Sequence, residues 1–521
     1  MPNEEKHTNL DIFLENVITS AHLKKSVDLD AIAKSFPPVD YFKPEPLSVQ
    51  PPSKLYPFLV FWLLGPETLI IFYPSGEILC TGAKTEEDAK KAIYIVLEKI
   101  MEKGLCEEEK PSVALRNVVV STNLTKKVNL EKAAQLLVGS KFNPDIFSGI
   151  VYKIDNSILT IFSRGIVCTG VKSKDEAREK IESIYKALEA NSSFTSITLN
   201  IKKEIPKSKV ALVKGKEPKI MVKEALDLIK AQELVSPKDK LLIKPNYIAS
   251  KHPSTGVTTD TDVIEALIMF AKDRGVKDIT VAEGGGDDTN ITFDVVGVRD
   301  VVQRHGVKLV DLNRDEKVKV TIKNPLALKE VNLAKTILDS TCIINVPCLK
   351  IHELALVTLS LKNLLGATLP KGILHKNLNE NLVDLASVIK PKLNVISGIV
   401  AHEGHQVFGN PVEMNVIVAS RDMVAADAVG ATLMGIEPER VKAIWLAQKR
   451  GFGTADLDKI EILGEPIEKI KKHFQISHTP THRGSLISLL RWGIGNWDYH
   501  ILSASGIIGE KMPELEIEHM I

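Results

Sequence analysis

The sequence predicts an α+β domain, made by a tandem repeat around one curved antiparallel sheet, followed by an α/β domain with a mainly parallel or mixed sheet. Three observations carry this. First, Ile78-Leu79-Cys80-Thr81-Gly82-Ala83-Lys84 and Ile166-Val167-Cys168-Thr169-Gly170-Val171-Lys172 are near copies, so residues 10 to 190 or so form a duplication. Second, from Val210 to about Gly464 apolar strands alternate with amphipathic helices, the rhythm of a sheet with helical crossovers. Third, a polar joint, Ile201-Lys202-Lys203-Glu204-Ile205-Pro206-Lys207-Ser208, separates the two patterns.

Within each copy an alternating apolar strand reaches the Thr-Gly turn. Thr85 or Ser173 then stands as a helix N-cap, with acidic residues in the first turn and an apolar stripe behind them. Each copy scans as a strand, a short helix (Leu29 to Phe36; Leu130 to Val138), several short strands and a longer helix (Glu86 to Lys103; Lys174 to Glu189). Asn16 in Asn16-Val17-Ile18-Thr19-Ser20 matches Asn117 in Asn117-Val118-Val119-Val120-Ser121. Copy one is longer between this asparagine and its cysteine. The surplus fits the run Pro44-Glu45-Pro46-Leu47-Ser48-Val49-Gln50-Pro51-Pro52 as a loop, because proline removes backbone donors that a sheet needs. Two such units joined edge to edge place their helices on one side and leave the other side of the sheet free.

In the second region Leu241-Leu242-Ile243-Lys244-Pro245-Asn246 reads as a strand running into a loop, Ile264 to Arg274 as a helix, and Ile279 to Ala282, Cys342 to Pro347 and Leu393 to Ile399 as further strands. Ligands of such sheets gather at the carboxyl ends of the strands. Polar residues fall there: Lys244 and Asn246; Glu283-Gly284-Gly285-Gly286-Asp287-Asp288; Cys348-Leu349-Lys350-Ile351-His352-Glu353; and Ala401-His402-Glu403-Gly404-His405, with Lys362, Asn363, His375 and Asp384 between. Lys244, Asn246, Glu283, Lys350, Lys362 and Asn363 make a candidate pocket for a small anionic ligand, a carboxylate or phosphate, and the triglycine loop offers backbone N–H groups to an anion. His352, His375, His402, Glu403 and His405 are candidate ligands for a divalent metal, the candidate cofactor. Their spacing is not the helical H-E-x-x-H of metalloproteases. Packed histidines and solvated lysines fit the same letters.

The 67 basic and 66 acidic residues give a formal charge of +1, which leaves no global electrostatic footprint for nucleic acid. Copy two is locally the more basic half, with Lys126, Lys127, Lys132, Lys141, Lys153, Arg164, Lys172 and Lys174. No apolar run approaches the ~20 residues that cross a bilayer, and the N-terminus is polar, so the expected setting is cytoplasmic, without a membrane partner. Cysteines 80, 106, 168, 342 and 348 form no C-x-x-C pair, so no cysteine-ligated iron–sulfur cluster or zinc is expected. The expected domains are 1–192 (repeat one 10–105, repeat two 110–190), a linker at 193–208, an α/β domain at 209–465 and a C-terminal extension at 466–521. That extension, with His473, His478, His482, Trp492, Trp497, Tyr499 and His500, reads as a packed segment or a contact for self-association.

Copy two, through Asn117-Val118-Val119-Val120-Ser121-Thr122-Asn123-Leu124, Asn143-Pro144-Asp145-Ile146-Phe147-Ser148-Gly149-Ile150-Val151-Tyr152-Lys153 and Ile161-Phe162-Ser163-Arg164-Gly165, resembles the TATA-box-binding protein family, and the resemblance spans roughly residues 10 to 190. It implies a saddle whose concave face enters the minor groove of A·T-rich double-stranded DNA. Paired aromatics would wedge between base steps, and Asn and Thr side chains would meet the groove's acceptors. Carried over by position, the wedges are Phe147 and Phe162 in copy two and Tyr56 and Phe72 in copy one, with Asn16, Asn117, Thr81 and Thr169 at the groove. Copy one departs from the family: Tyr56 stands for a phenylalanine, Trp62 for a basic residue and Glu77 for a lysine, changes that lower the expected affinity. The competing reading makes the aromatics sheet-packing residues and the Thr-Gly pairs turns.

Lys244-Pro245-Asn246, Thr258, Glu283-Gly284, Pro347-x-Leu349-Lys350-x-His352, Leu361-Lys362-Asn363-Leu364, His375, Asp384, Glu403-Gly404, Gly409, Asp422 and Asp427 resemble domain of unknown function 362, over about 209 to 465. That family is often joined to ferredoxin-like modules, whose cluster cysteines this chain lacks. The pair of domains resembles an archaeal fusion protein. Two function classes follow. One is a DNA-binding, transcription-related protein whose saddle is coupled to a ligand- or metal-binding α/β domain. The other is a metal-dependent or anion-substrate enzyme whose saddle serves as a protein or nucleic-acid interaction module.

Overall fold

The computed structural model describes residues 10–36, 40–42, 58–64, 67–107, 110–144, 147–194, 207–375 and 377–476, which fall into two compact units. The proline-rich run at 44–52, Tyr56 and everything beyond 476 lie outside the described residues.

The first unit is the duplication. Copy one runs β1 (Phe13–His22), α1 (Leu29–Ser35), β2 (Asp40–Phe42), β3 (Phe58–Leu64), β4 (Glu67–Phe72), β5 (Glu77–Ala83) and α2 (Glu86–Glu102). Copy two runs β6 (Ala114–Asn123), α3 (Leu130–Leu136), β7 (Ile150–Ile154), β8 (Ser157–Ile161), β9 (Gly165–Val171) and α4 (Lys174–Ala190). These strands make one sheet of order β2-β3-β4-β5-β1-β6-β9-β8-β7, antiparallel at every pairing, with β1 against β6 as the seam between copies. The caps predicted from sequence are in place: Thr85 and Ser173 accept the N–H groups of Asp88 and Glu176.

Period-two alternation sorts the strands into two faces. Val17, Ile70, Ile78 and Cys80 pack beneath α2, and Val118, Val120, Ile161, Ile166 and Cys168 pack with Ile181, Ile184 and Leu188 of α4. Asn16, Thr81, Asn117, Val119, Val167 and Thr169 alternate with these and so occupy the other face.

The second unit is a mixed sheet. It uses β10 (Ser208–Lys214), β11 (Lys240–Lys244), β12 (Asp278–Glu283), β13 (Lys308–Asp311), the separate ribbon β14 (Lys317–Thr321) and β15 (Glu330–Ala334), then β16 (Cys342–Asn345), β17 (Cys348–His352), β18 (Leu356–Thr358), β19 (Leu393–Glu403), β20 (Asn410–Ser420) and β21 (Ile460–Gly464). The order is β13-β12-β11-β16-β19-β20-β10-β21. From β13 to β19 the pairings are parallel, and β20 is antiparallel to both β19 and β10. Helices Pro218–Leu228 and Thr261–Asp273 cover one core, where Val222, Leu226, Ile264 and Leu267 meet Leu241, Ile243, Val281 and Ile344.

Two sequence expectations shift here. Cys348–His352 forms a strand of its own and does not trail one. The Leu393 strand continues through Glu403, carrying His402 within it. The polar ends are held extended by their strand partners: Lys350 lies opposite His402, remote in sequence, and Ala401, His402 and Glu403 lie opposite Val412, Pro411 and Asn410 across a hairpin.

Candidate nucleic-acid interface and anion pocket

On the saddle face away from the helices the two copies build the same device. Asn16 donates its side-chain N–H to Thr81 Oγ1 at 2.8 Å and accepts the Gly82 N–H at 2.8 Å. Asn117 does the same with Thr169 (2.9 Å) and Gly170 (2.7 Å). The glycines are required: Gly82 and Gly170 sit at φ +93° and +82°, and a Cβ on Gly170 would stand 2.4 Å from Asn156 O. Each pair leaves a second amide N–H and a hydroxyl proton as donors, the chemistry that meets A·T acceptors in a minor groove. All four side chains are 2% exposed or less.

Phe147 and Phe162 stand edge to face, centroids 5.8 Å apart, and Phe162 packs with Val119 and Val167 on this same face. Phe72 does not share that placement. It is fully buried with Ile70, Ile78 and Cys80 beneath α2, on the helix side. The reason is one residue of turn length. Phe72 is paired with Ile78 as Ile161 is with Ile166, and the connection between them is one residue longer in copy one. The counterpart of Phe162 is therefore Tyr73: Tyr73 donates its N–H to Glu77 O, as Phe162 does to Gly165 O. A shift of one residue exchanges the faces of a strand. The signal was present in the sequence as an aromatic immediately after the strand.

At the carboxyl ends of the α/β sheet the predicted pocket residues do converge. Lys244 Nζ lies 3.0 and 3.1 Å from the two Glu283 carboxylate oxygens, both side chains buried. Glu283 also accepts the N–H groups of Tyr247 (3.2 Å) and Gly284 (2.7 Å). Asn246 donates to Asn363 Oδ1 at 2.9 Å, and Asn363 donates to Asn345 Oδ1 at 2.8 Å. Lys350 donates to Val257 O at 2.7 Å. Burial pushes the Lys350 and Lys362 ammonium groups down to about 8. It also lowers Lys244 against the pull of Glu283. The triglycine loop is pressed close: a Cβ on Gly284 would meet Gly366 O at 2.6 Å, and one on Gly366 would meet Glu283 Oε1 at 2.2 Å.

The proposed metal ligands are placed differently. His352 Nδ1 accepts the N–H groups of Leu354 and Ala355, and His405 Nδ1 those of Val407 and Phe408. His402 Nδ1 is 2.7 Å from Thr255 O. Glu403 accepts the Gln475 N–H at 2.8 Å. His375 closes a short helical turn, Gly372–His375. Among the described residues no three His, Cys, Asp or Glu side chains come together as a metal-binding group. Burial holds His352 well below its usual range and His402 at about 4, so both are neutral. Asp384, a landmark in sequence, closes a loop by accepting the N–H groups of Leu326, Ala327 and Leu328, each at 2.8 Å.

Sequence reasoning named Glu353 among the strand-end polar residues and Asp427 among the family landmarks but gave neither a place in the pocket. Glu353 lies 3.7 Å from His405 Nε2 and 3.8 Å from His352 Nδ1, accepts from Gln406 Nε2 at 2.8 Å, and is pushed up to about 7 by burial. Asp427, also raised to about 7 by burial, caps the turn that carries Lys362. Three buried acceptor atoms have no hydrogen bond here: Asn246 Oδ1, His402 Nε2 and Glu353 Oε2.

Comparison with known proteins gives two family matches. The model described as transcription factor TFIID (or TATA-binding protein, TBP) matches residues 11–103 and 112–191, and the domain of unknown function DUF362 matches residues 241–432. The TATA-box-binding protein of Methanothermobacter thermautotrophicus is 35% identical over 178 residues, 34% of this chain and 93% of that protein. That of Methanosphaera stadtmanae is 36% identical over 173 residues, 33% of this chain and 89% of that protein. Among solved structures, the Methanococcus jannaschii TBP is 28% identical, covering 34% of this chain and 99% of that one, with a TM-score of 0.31.

Proposed function

We propose that this chain, which belongs to the TATA-box-binding protein family through its first unit and carries a DUF362 domain in its second, is a transcription-related protein whose saddle reads A·T-rich double-stranded DNA. The observation that carries the reading is the pair of matched devices Asn16–Thr81 and Asn117–Thr169. They present the same small donors from both copies on the face free of helices. Copy two contributes more of the affinity, because it keeps both phenylalanines and the denser set of basic residues. These face residues are 2% exposed or less, so a duplex gains access only when the face is uncovered.

The α/β unit holds a small anionic ligand in this reading. Lys244 and Lys350, both buried, and the half-buried Lys362 outnumber Glu283 and Glu353 in one cluster, and an anion would balance them. The unbonded acceptors Asn246 Oδ1 and His402 Nε2 suit a ligand that also carries a hydroxyl group.

Fluorescence anisotropy with an A·T-rich duplex, a G·C-rich duplex and a salt titration tests the DNA reading. The expected result is preference for the A·T-rich duplex and affinity that falls with salt. Equal binding to both duplexes, or no salt dependence, overturns it.

A further inference from the structure

The saddle face away from the helices is buried although none of the first unit's described helices lies on it. All four pack against the opposite face: Leu29 and Ile32 of α1 and Ala89 and Ile93 of α2 with copy one, Ala133 of α3 and Ile181 of α4 with copy two. Yet Ile18, Val119 and Val167 are 1% exposed, Leu69 is 2% and Ile71 5%, and Ser20, Ser121 and Thr160 are buried with them. Strand register sets this group on the face of the two asparagine devices. Leu69 lies opposite Thr81, Ile18 opposite Asn117, Val119 opposite Asn16, and Val167 opposite both Ser121 and Thr160. The patch crosses β4, β5, β1, β6, β9 and β8, five strand spacings or roughly 24 Å. An antiparallel sheet with water on one face leaves the branched side chains of that face exposed at their ends.

The burial is that of a single chain, so the cover comes from the chain itself. Both copies are covered, which narrows its source among the segments outside the described residues. The 15 residues between Phe42 and Phe58 are tied at both ends to the copy-one edge of the sheet. Doubling back, they reach about 25 Å, short of the roughly 29 Å from β3 to β8. The nine residues before Leu10 are polar, and Thr195 to Pro206 is held at both ends. The 45 residues after Ile476 span up to about 150 Å when extended, enough for several crossings of the patch. They also carry the apolar side chains to fill it, among them Leu486, Leu489, Trp492, Trp497, Ile501 and Leu502. Glu510, Glu514, Glu516 and Glu518 at their far end suit the more basic copy two.

We propose that residues 477–521 dock on the helix-free face of the saddle and compete with duplex DNA for it. Their apolar side chains rest on Ile18, Leu69, Ile71, Val119 and Val167, and their glutamates lie toward copy two. A duplex binds only those molecules whose segment has left the face, so its apparent affinity is reduced by that fraction. The competition rests on the reading of this face as a DNA-binding surface, whereas the docking does not.

Hydroxyl-radical footprinting of the full-length chain tests the docking without DNA. The unaltered chain is compared with one carrying Leu489→Ser, Trp492→Ser, Trp497→Ser and Leu502→Ser, and oxidation is mapped by peptide mass spectrometry. The expected result is protection of Ile18, Leu69 and Val167 in the unaltered chain and a several-fold rise in their oxidation in the variant, with Ile32 and Ile181 protected in both. Reactive face residues in the unaltered chain, or protection that persists in the variant, would overturn the docking. Should Ile32 or Ile181 become reactive as well, the variant has unfolded. A full-length chain with a protease site between Ser477 and His478, cut after folding and freed of the segment, then decides the same question. Anisotropy with the A·T-rich duplex reads the competition. Apparent affinity at least about tenfold higher once the face is exposed supports it, and equal affinity overturns it. An exposed face that binds no duplex overturns the DNA reading and the competition with it, and leaves the docking in place.

Discussion

Asn117 donates its side-chain N–H to Thr169 at 2.9 Å while taking the N–H of Gly170 at 2.7 Å, and Asn16 repeats both bonds in the other copy. Each asparagine therefore serves two ends, holding two strands together and directing donors to the face of the sheet away from the helices.

Replacing either asparagine leaves a half-buried glycine N–H, of Gly82 or Gly170, without its acceptor. Asn16→Ala or Asn117→Ala should cost about 1–3 kcal/mol of stability, read by chemical denaturation of the full chain. Each should also reduce the preference for A·T-rich over G·C-rich duplex. A variant that keeps full stability and full preference would contradict the dual role.

The neighbours Phe72 and Tyr73 should separate cleanly. Phe72→Ala empties a place in the core beneath α2 and should cost about 3–5 kcal/mol of stability. Tyr73→Ala should leave most of the stability and weaken duplex binding by ~1–3 kcal/mol, the usual worth of an aromatic against a base. Denaturation and anisotropy on the two variants give the comparison.

The share of the α/β unit's stability set by Glu353 and Asp427 on one side and Lys350 and Lys362 on the other should pass through a minimum between about pH 7 and pH 8. The two acids, raised to about 7 when folded, bind more protons folded than unfolded. Their contribution therefore falls as pH climbs from the ordinary carboxylate range to about 7. The two lysines, lowered to about 8, bind fewer protons folded than unfolded, so stability recovers from about pH 8 towards their ordinary value of 10.5. Denaturation midpoints compared between the unaltered chain and Glu353→Gln should show the fall towards pH 7 reduced in the variant, which separates it from the rise over the acid range that the lowered His352 and His402 contribute.

Gly366→Ala drives a methyl group to 2.2 Å from Glu283 Oε1 and 2.7 Å from Lys244 Nζ, wedging the buried pair apart. A cost of about 1–3 kcal/mol is expected. Gly372→Ala, with nothing within 4 Å of its new Cβ, is the control and should be close to silent. Thermal melts of the two variants make the test.

Much of this architecture was legible in the letters. The duplication fixed both copies, and the helix ends fell within two residues of prediction, Leu29–Ser35 against Phe36 and Leu130–Leu136 against Val138. What escaped was non-local. The side to which Phe72 points depends on turn length and pairing register, which hydrophobic alternation alone does not reveal at a strand end. The last two residues of β19, His402 and Glu403, are polar, and they are extended where β17 and β20 flank them. Lys244, Asn246, Glu283 and Asn363 were found because ends of parallel strands gather ligands. The histidines were misgrouped, because a backbone N–H occupies a ring nitrogen of His352 and His405 in a way no spacing rule foretells.

The extra residue in the connection after Phe72 also bears on the history of the duplication. Copies of one gene segment can be kept alike by recombination, but a crossover that moved the short connection of copy two into copy one would take a residue out of the turn in which Pro74 O and Gly76 O accept the N–H groups of Val27 and Leu23. With connections of unequal length the two halves do not exchange cleanly, and each is free to change its own chemistry.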